Sequence, residues 1–420
     1  LGLEHPLVAK SLTGMGAVLQ AQGDGAEALR SFRRALEVRE KSLGPEHVAV
    51  AESLDGIGTV LNDRGDYAEA LKYFQRERVI AEKAVGPEHP IMARSLSNMG
   101  FVLHSQGNYV GALELLRRAL EVREKVWGPE HPDVADSLDD ICMVLNALGD
   151  SEGALAQCRR ARAITEKALG PKHPRLASIL SNMGRAFQAQ RDYMRALEHL
   201  LPALAIAETA WGPEHPKVFI TLNSVGIALK GQGDYAGALK HYRRAQAITE
   251  KAFGPEHPDV AVALNNIGMV LAVQGDPARA LDHYWRALAI TEKALGSEHP
   301  DVATVLTNIG GALADQGEHA RALALYQRAL AMTEKALGPE HPQVATTLAN
   351  MGTVLEAQGE RARALALYQR ALASMETVLG KEHPVTQALR SRLGSMLPRQ
   401  EAPPRPPQGL SGPPSTSSSP

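Results

Sequence analysis

The chain has 420 residues, a formal charge of −2 and a pI near 6.8, so no global charge draws it toward nucleic acid or anionic lipid. Hydrophobic residues make up 44% and aromatics only 4%, so Ala and Leu supply most of the apolar surface, which favours helix over strand. No apolar run reaches the ~18 residues of a membrane span, no signal peptide opens the chain, and two cysteines without a CxxC exclude a disulfide framework, so a reducing, cytoplasmic setting is expected.

The chain opens on Leu1 inside the phrase LGLEHP, and an upstream segment is therefore expected. The same phrase, most often GPEHP, returns with its histidine at His5, His47, His89, His131, His173, His215, His257, His299, His341 and His383, always 42 residues apart. Nine units therefore start at residues 1, 43, 85, 127, 169, 211, 253, 295 and 337, and a partial tenth starts at 379. A fixed period of this length marks a solenoid or a propeller, in which each unit buries its apolar face against its neighbours.

Within a unit the pattern is helical. In 341–378 the apolar residues Val344, Leu348, Met351 and Leu355 recur at steps of three and four. Gly359 breaks the chain, and a second stripe runs through Ala364, Leu365, Tyr368, Ala371 and Leu372. Pro342 suits a first helical position and Gly380 a helix stop. This period excludes a propeller blade. The first helices carry a small residue at Gly16, Gly58, Gly100, Cys142, Gly184, Gly226, Gly268, Gly310 and Gly352. The second carry Ala at the matching point from Ala28 to Ala364, and a further Ala seven residues on in every unit but the second, where Glu77 intrudes. A large group such as Phe32, Phe74, Tyr242 or Tyr368 lies between the alanines, so the backbones approach closely and the ring fills the groove.

The order M-G-x-x-L, then G, then A-x-x-x-Y-x-x-A-L resembles the tetratricopeptide repeat, whose usual unit is 34 residues. The extra eight residues are expected in the connector, in phrases like EKALGPEHPDVA. That connector, with helices reading SLSNMG and ALNNIGMVLAVQGD, is similar to the repeats of kinesin light chains and their relatives across residues 1–396. The resemblance implies an all-α fold, a right-handed superhelical solenoid of nine helix–turn–helix repeats plus a capping helix. It also implies a non-enzymatic adaptor whose protein partners, in a motor or signalling complex, present extended peptide segments. The heptad coiled coil of a kinesin light chain is absent from this sequence. The competing reading is the sensor arm of a larger signalling NTPase, with its catalytic part upstream.

Repeated histidines beside glutamates raise the question of metal or acid–base chemistry. Equivalent connectors sit about 8–10 Å apart, whereas zinc needs three or four ligand atoms within ~2.3 Å of one ion. The histidines are therefore read as joints, with Pro starting each helix and Glu near its positive end. Cys142 and Cys158 occupy packing positions and are expected as buried free thiols. No P-loop, HExxH or GxSxG motif is present, and nothing calls for a cofactor. Recurrent arginines from Arg34 to Arg370 and glutamates from Glu40 to Glu376 read as a solvated face of ion pairs in preference to an anion-binding strip.

First helices are expected to line the concave surface. Two residues before the small glycine stand Asn98, Asn182, Asn266, Asn308 and Asn350, with Asp140 and Ser224 in other units. An amide donates and accepts at once, which suits gripping a peptide backbone, and in kinesin light chain-like proteins asparagines at this place contact bound peptide. The bland alternative is that they solvate the helix face or bond neighbouring helices. His104, Asn146, Gln188 and Lys230 flank the groove one turn further on. Nearer the helix starts, Lys10, Glu52, Arg94 and Asp136 give way to Ser178, Ile220, Val262, Thr304 and Thr346. Units five to nine are thus suited to an extended peptide with apolar side chains. The helix TQALRSRLGSML caps the array through Arg390 and Arg392, and the Pro/Ser-rich 397–420 is expected to be a disordered tail.

Overall fold

The computed structural model describes residues 5–396; the tail 397–420 lies outside them. Nineteen α-helices alternate as hairpins, and no strand occurs among the described residues. The first helices of the nine units are α1 (Pro6–Ala21), α3 (Val48–Asp63), α5 (Pro90–Ser105), α7 (Pro132–Ala147), α9 (Arg175–Ala189), α11 (Phe219–Gln232), α13 (Pro258–Val273), α15 (Pro300–Asp315) and α17 (Pro342–Ala357). The second helices are α2 (Gly25–Leu43), α4 (Tyr67–Val85), α6 (Tyr109–Trp127), α8 (Ser151–Leu169), α10 (Tyr193–Trp211), α12 (Tyr235–Phe253), α14 (Pro277–Leu295), α16 (His319–Leu337) and α18 (Arg361–Leu379). A last helix, α19 (Pro384–Met396), closes the array, and Arg390 and Arg392 pair back to Glu376 and Glu356.

The connector between units is shorter than the sequence phrase suggests. EKAL continues each second helix and PDVA already belongs to the next first helix. Four residues, such as Gly44 to His47, join most of them; α8 and α9 are joined by five, and a short 3-10 turn, Pro216–Val218, precedes α11. Each second helix ends because a glycine from Gly44 to Gly380 takes φ between +83° and +96°, a backbone state closed to most side chains. The histidine then caps the next helix. Its Nδ1 accepts the N–H two residues on, at 3.1 to 3.3 Å in all ten phrases. An imidazole that accepts at Nδ1 is neutral there and carries its proton on Nε2.

The two helices of a unit meet through the small-residue row. A Cβ on Gly58 would lie 2.6 Å from the Phe74 ring, and one on Gly226 2.5 Å from the Tyr242 ring. Unit four replaces both partners of this contact, and there Cys142 and Cys158 form a disulfide with their Cα atoms 5.7 Å apart. The expectation of two free thiols is therefore wrong. The same 16-residue spacing that brings each glycine under its ring brings the two sulfurs together.

Two rows of ion pairs run along the outer face, and the first ties unit to unit. Arg76–Glu40, Arg160–Glu124, Arg244–Glu208 and Arg286–Glu250 span 2.5 to 2.8 Å between second helices. Within a unit, the phrase glutamates take lysines of the second helix that follows, as in Lys83–Glu46 at 2.6 Å and Lys125–Glu88 at 3.0 Å. Those glutamates thus tie each connector to the second helix beyond it. First helices also touch one another along the array, α7 with α9 and α9 with α11 among them, which makes them the inner layer.

The array winds far enough for one turn to meet the next. His257, His299, His341 and His383 lie against Gly23, Gly65, Gly107 and Gly149, in each case a helix cap against the hairpin turn six units earlier. His299 Nε2 donates to the Asp63 carbonyl at 3.2 Å.

Candidate functional site

The first helices form the inner wall, where the sequence leads one to expect a peptide groove, and each residue named for it has a definite place in the structure. Asn98, Asn182, Asn266 and Asn308 donate their amides to side chains of the preceding unit. Asn182 reaches Asp139 at 2.8 Å, Asn266 reaches Asn223 at 3.3 Å and Asn308 reaches Asn265 at 2.8 Å, while Asn98 bonds Asp55. The acceptor is always the residue one before the donor's counterpart, so the inner helices are stitched by a polar ladder. Asn182 is only 8% exposed, against the open position expected for it. Asn350 is half-buried and its amide has no side-chain partner among the described residues.

The flanking residues divide in the same way. Asn146 donates to the Asn182 carbonyl at 3.0 Å and Gln188 to the Ser224 carbonyl at 2.9 Å, both within the wall. His104 packs beside the Tyr109 ring at 5.3 Å, and burial, aided by Arg185, holds its pKa below the usual imidazole value. Lys230 is half-buried with no ion pair among the described residues, and burial pulls its pKa down.

Charge is concentrated at the front of the wall. Burial, reinforced by Asp139, pushes the Asp140 carboxyl up to about 7 against the pull of Arg123. Asp139 is also raised by burial, although Ser178 and Asn182 both donate to it. Behind the wall in unit two, Glu77 is fully buried, pairs with Arg94 at 2.9 Å and rises to about 7 through burial.

Further along, the wall turns apolar. Ile220 on α11 is 62% exposed and Val262 on α13 is 44% exposed, and Ile227 and Val273 on the same helices are also open. A hollow of about 190 Å³ opens beside Val262, floored by Ala261, Leu295 and Val305 and edged by Asn265 and Thr304. The sequence reading named Ile220 and Val262 but missed Asp55, Asp139, Asn223 and Asn265 as ladder acceptors. Their signal was a second polar residue directly before the asparagine column.

Stacked hairpins, small residues under rings and a continuous inner wall define a helical-repeat scaffold of the α-solenoid class. The chain belongs to the tetratricopeptide repeat family, which matches residues 7–83, 55–125, 92–154, 133–209, 175–251, 217–293, 259–335 and 301–377. Proteins of this family are interaction scaffolds, so the partners are proteins. Similar solved structures include the nearly identical TPR-like repeats of a kinesin light chain candidate from Podosopora anserina, 24% identical with a TM-score of 0.40. That match covers 49% of this chain and 98% of the other. Another is BtubC (BKLC) from P. vanneervenii, 20% identical with a TM-score of 0.42, covering 64% of this chain and 97% of that one. No curated protein matches the chain. Among the described residues no helix is long and apolar enough to cross a membrane.

Proposed function

We propose that the array is a non-enzymatic adaptor that captures an extended peptide segment of a partner protein on the inner wall of units six to nine. The observation that carries this reading is the exposure of Ile220 and Val262 on α11 and α13, with Val262 at the edge of the hollow at Ala261, Leu295 and Val305. Apolar side chains open on an inner face lose water when a ligand covers them, at about 25 cal/mol per Å². Polar groups at the rim, Asn265 and Thr304, and the free amide of Asn350 supply contacts to a peptide backbone. Lys230, without an ion pair, offers a cation to a carboxylate or backbone carbonyl of the same segment. Asn98, Asn182, Asn266 and Asn308 serve in this reading by holding the wall's spacing through the ladder, with their second lone pairs and protons left for the ligand.

A peptide selection tests the reading. A displayed library of random peptides is panned on the purified array, and the enriched peptides are measured by fluorescence anisotropy. Binding to the Ile220→Asp/Val262→Asp variant is expected to fall at least tenfold, with helicity unchanged by circular dichroism. Substitution of the outer Arg160 by Ala is expected to leave it intact. Equal affinity for wild type and the inner-wall variant would place the ligand elsewhere and end the proposal.

A further inference from the structure

The four contacts between the first and second superhelical turns have no counterpart in the reading above. They follow one rule. The hairpin-turn glycines of units one to four, Gly23, Gly65, Gly107 and Gly149, receive the cap histidines of units seven to ten. The approach is closest at the last two, where a Cβ on Gly107 or Gly149 would stand 2.4 Å from the ring of His341 or His383. Leu337 adds an apolar contact to the core of units one to three, and His299 adds its hydrogen bond to Asp63.

We propose that this seam is a releasable latch: closed, it joins successive turns into a walled channel, and opened, it lets the inner face be reached from the side. The seam is built to part. Among the described residues its contacts include histidine and proline ring edges against glycines, the His299 hydrogen bond and Leu337, and it leaves hollows of about 260, 490 and 520 Å³ between the turns. Well-packed interiors keep no such gaps, because every unfilled gap forfeits dispersion contacts. The cores within and between neighbouring units are instead continuous, so the helices survive when the seam opens. In a solenoid, pitch is the sum of small rotations between neighbours. A slight change at each of six interfaces therefore separates the turns without breaking a unit.

The chain contains its own control. Gly317 and Gly359 occupy the same hairpin turn with φ of +81° in each, yet nothing lies within 4 Å of a Cβ placed there. Gly107 and Gly149 have φ of +74° and +79° and face the seam. Alanine at either pair carries the same backbone strain, and only the first pair wedges the latch. The measurement is a distance distribution between nitroxides at Val110→Cys and Thr377→Cys, which flank the seam at Gly107. The unaltered background is expected to give a short distance. Gly107→Ala/Gly149→Ala is expected to shift the population to long distances with unchanged circular dichroism, and Gly317→Ala/Gly359→Ala to keep it short. A long distance in the unaltered background, no shift in the wedged variant, or opening only with loss of helix would each overturn the latch. None of these readouts depends on a ligand, so the latch and the peptide reading fail separately.

Discussion

Glu77 stands where eight other units place alanine, and its carboxyl is fully buried with one oxygen unpartnered. Its pKa rises from 4.5 to about 7 in the fold, so the folded state holds a proton the unfolded chain releases. The sign follows by linkage. Destabilisation from Glu77 grows as pH climbs from 4.5 to 7 and is complete above that, at about 3 kcal/mol. Glu77→Ala is therefore expected to raise the urea midpoint at pH 8 and to change it little at pH 4.5. Arg94, the abandoned partner, keeps Asp55 at 4.0 Å and is 43% exposed, so no buried cation is stranded. A lower midpoint at pH 8 would mean that the ion pair outweighs the desolvation of the carboxyl. The anomaly itself was readable as a break in an alanine column. The ladder asparagines were less so, because an amide suited to a peptide is equally suited to a neighbouring helix, and residue type alone cannot separate the two.

Helices and their ends were the most legible level, because a repeated phrase states each cap ten times over. The histidine's role was only half visible, since its ring does the capping that Ser or Asp performs elsewhere. His47 is exposed and outside the seam, which makes it a clean test. His47→Ala is expected to cost about 1 kcal/mol in thermal or urea unfolding, whereas His47→Asp, which also accepts a hydrogen bond and suits the helix dipole, keeps the stability. The disulfide was missed because the two cysteines were weighed singly, although their separation is that of every glycine–ring pair. A loop of this length contributes roughly 3 kcal/mol through the unfolded chain. A reductant is thus expected to lower the unfolding midpoint of wild type. Cys142→Gly/Cys158→Tyr, which rebuilds the packing of the neighbouring units, should be insensitive to reductant. Equal midpoints with and without reductant in wild type would show that the bond adds nothing to stability.

At the scale of the whole molecule the period predicted a solenoid but gave no hint that its turns touch. The seam reuses residues that already have local duties, a cap histidine and a turn glycine, so it leaves no separate mark in the sequence. Its burial does leave one in the electrostatics. His131, away from the seam, has a side chain 39% exposed, against 11% for His257 and 7% for His299. Burial lowers the pKa of His257 and His383, and burial with His104 nearby takes His341 down to about 4. An imidazole depressed below its usual 6.5 favours the closed seam fully above that pH, and loses this contribution as pH falls from 6.5 toward 4. Two seam carboxyls act the other way. Asp63 and Asp259 are raised by burial from 3.8, so their protonation favours closure in acid. The histidines lose their contribution from 6.5 downward, each by up to ~1.4 kcal/mol per pH unit, and three depressed rings outnumber the two raised carboxyls. The radius of gyration from X-ray scattering is therefore expected to grow between pH 7.5 and 5.5 while the far-ultraviolet circular dichroism stays constant. Asparagine caps a helix without titrating, so the His257→Asn/His341→Asn/His383→Asn variant should show a smaller change over the same interval. A radius that ignores pH in wild type, or one that grows equally in the asparagine variant, would show that these rings do not hold the turns together.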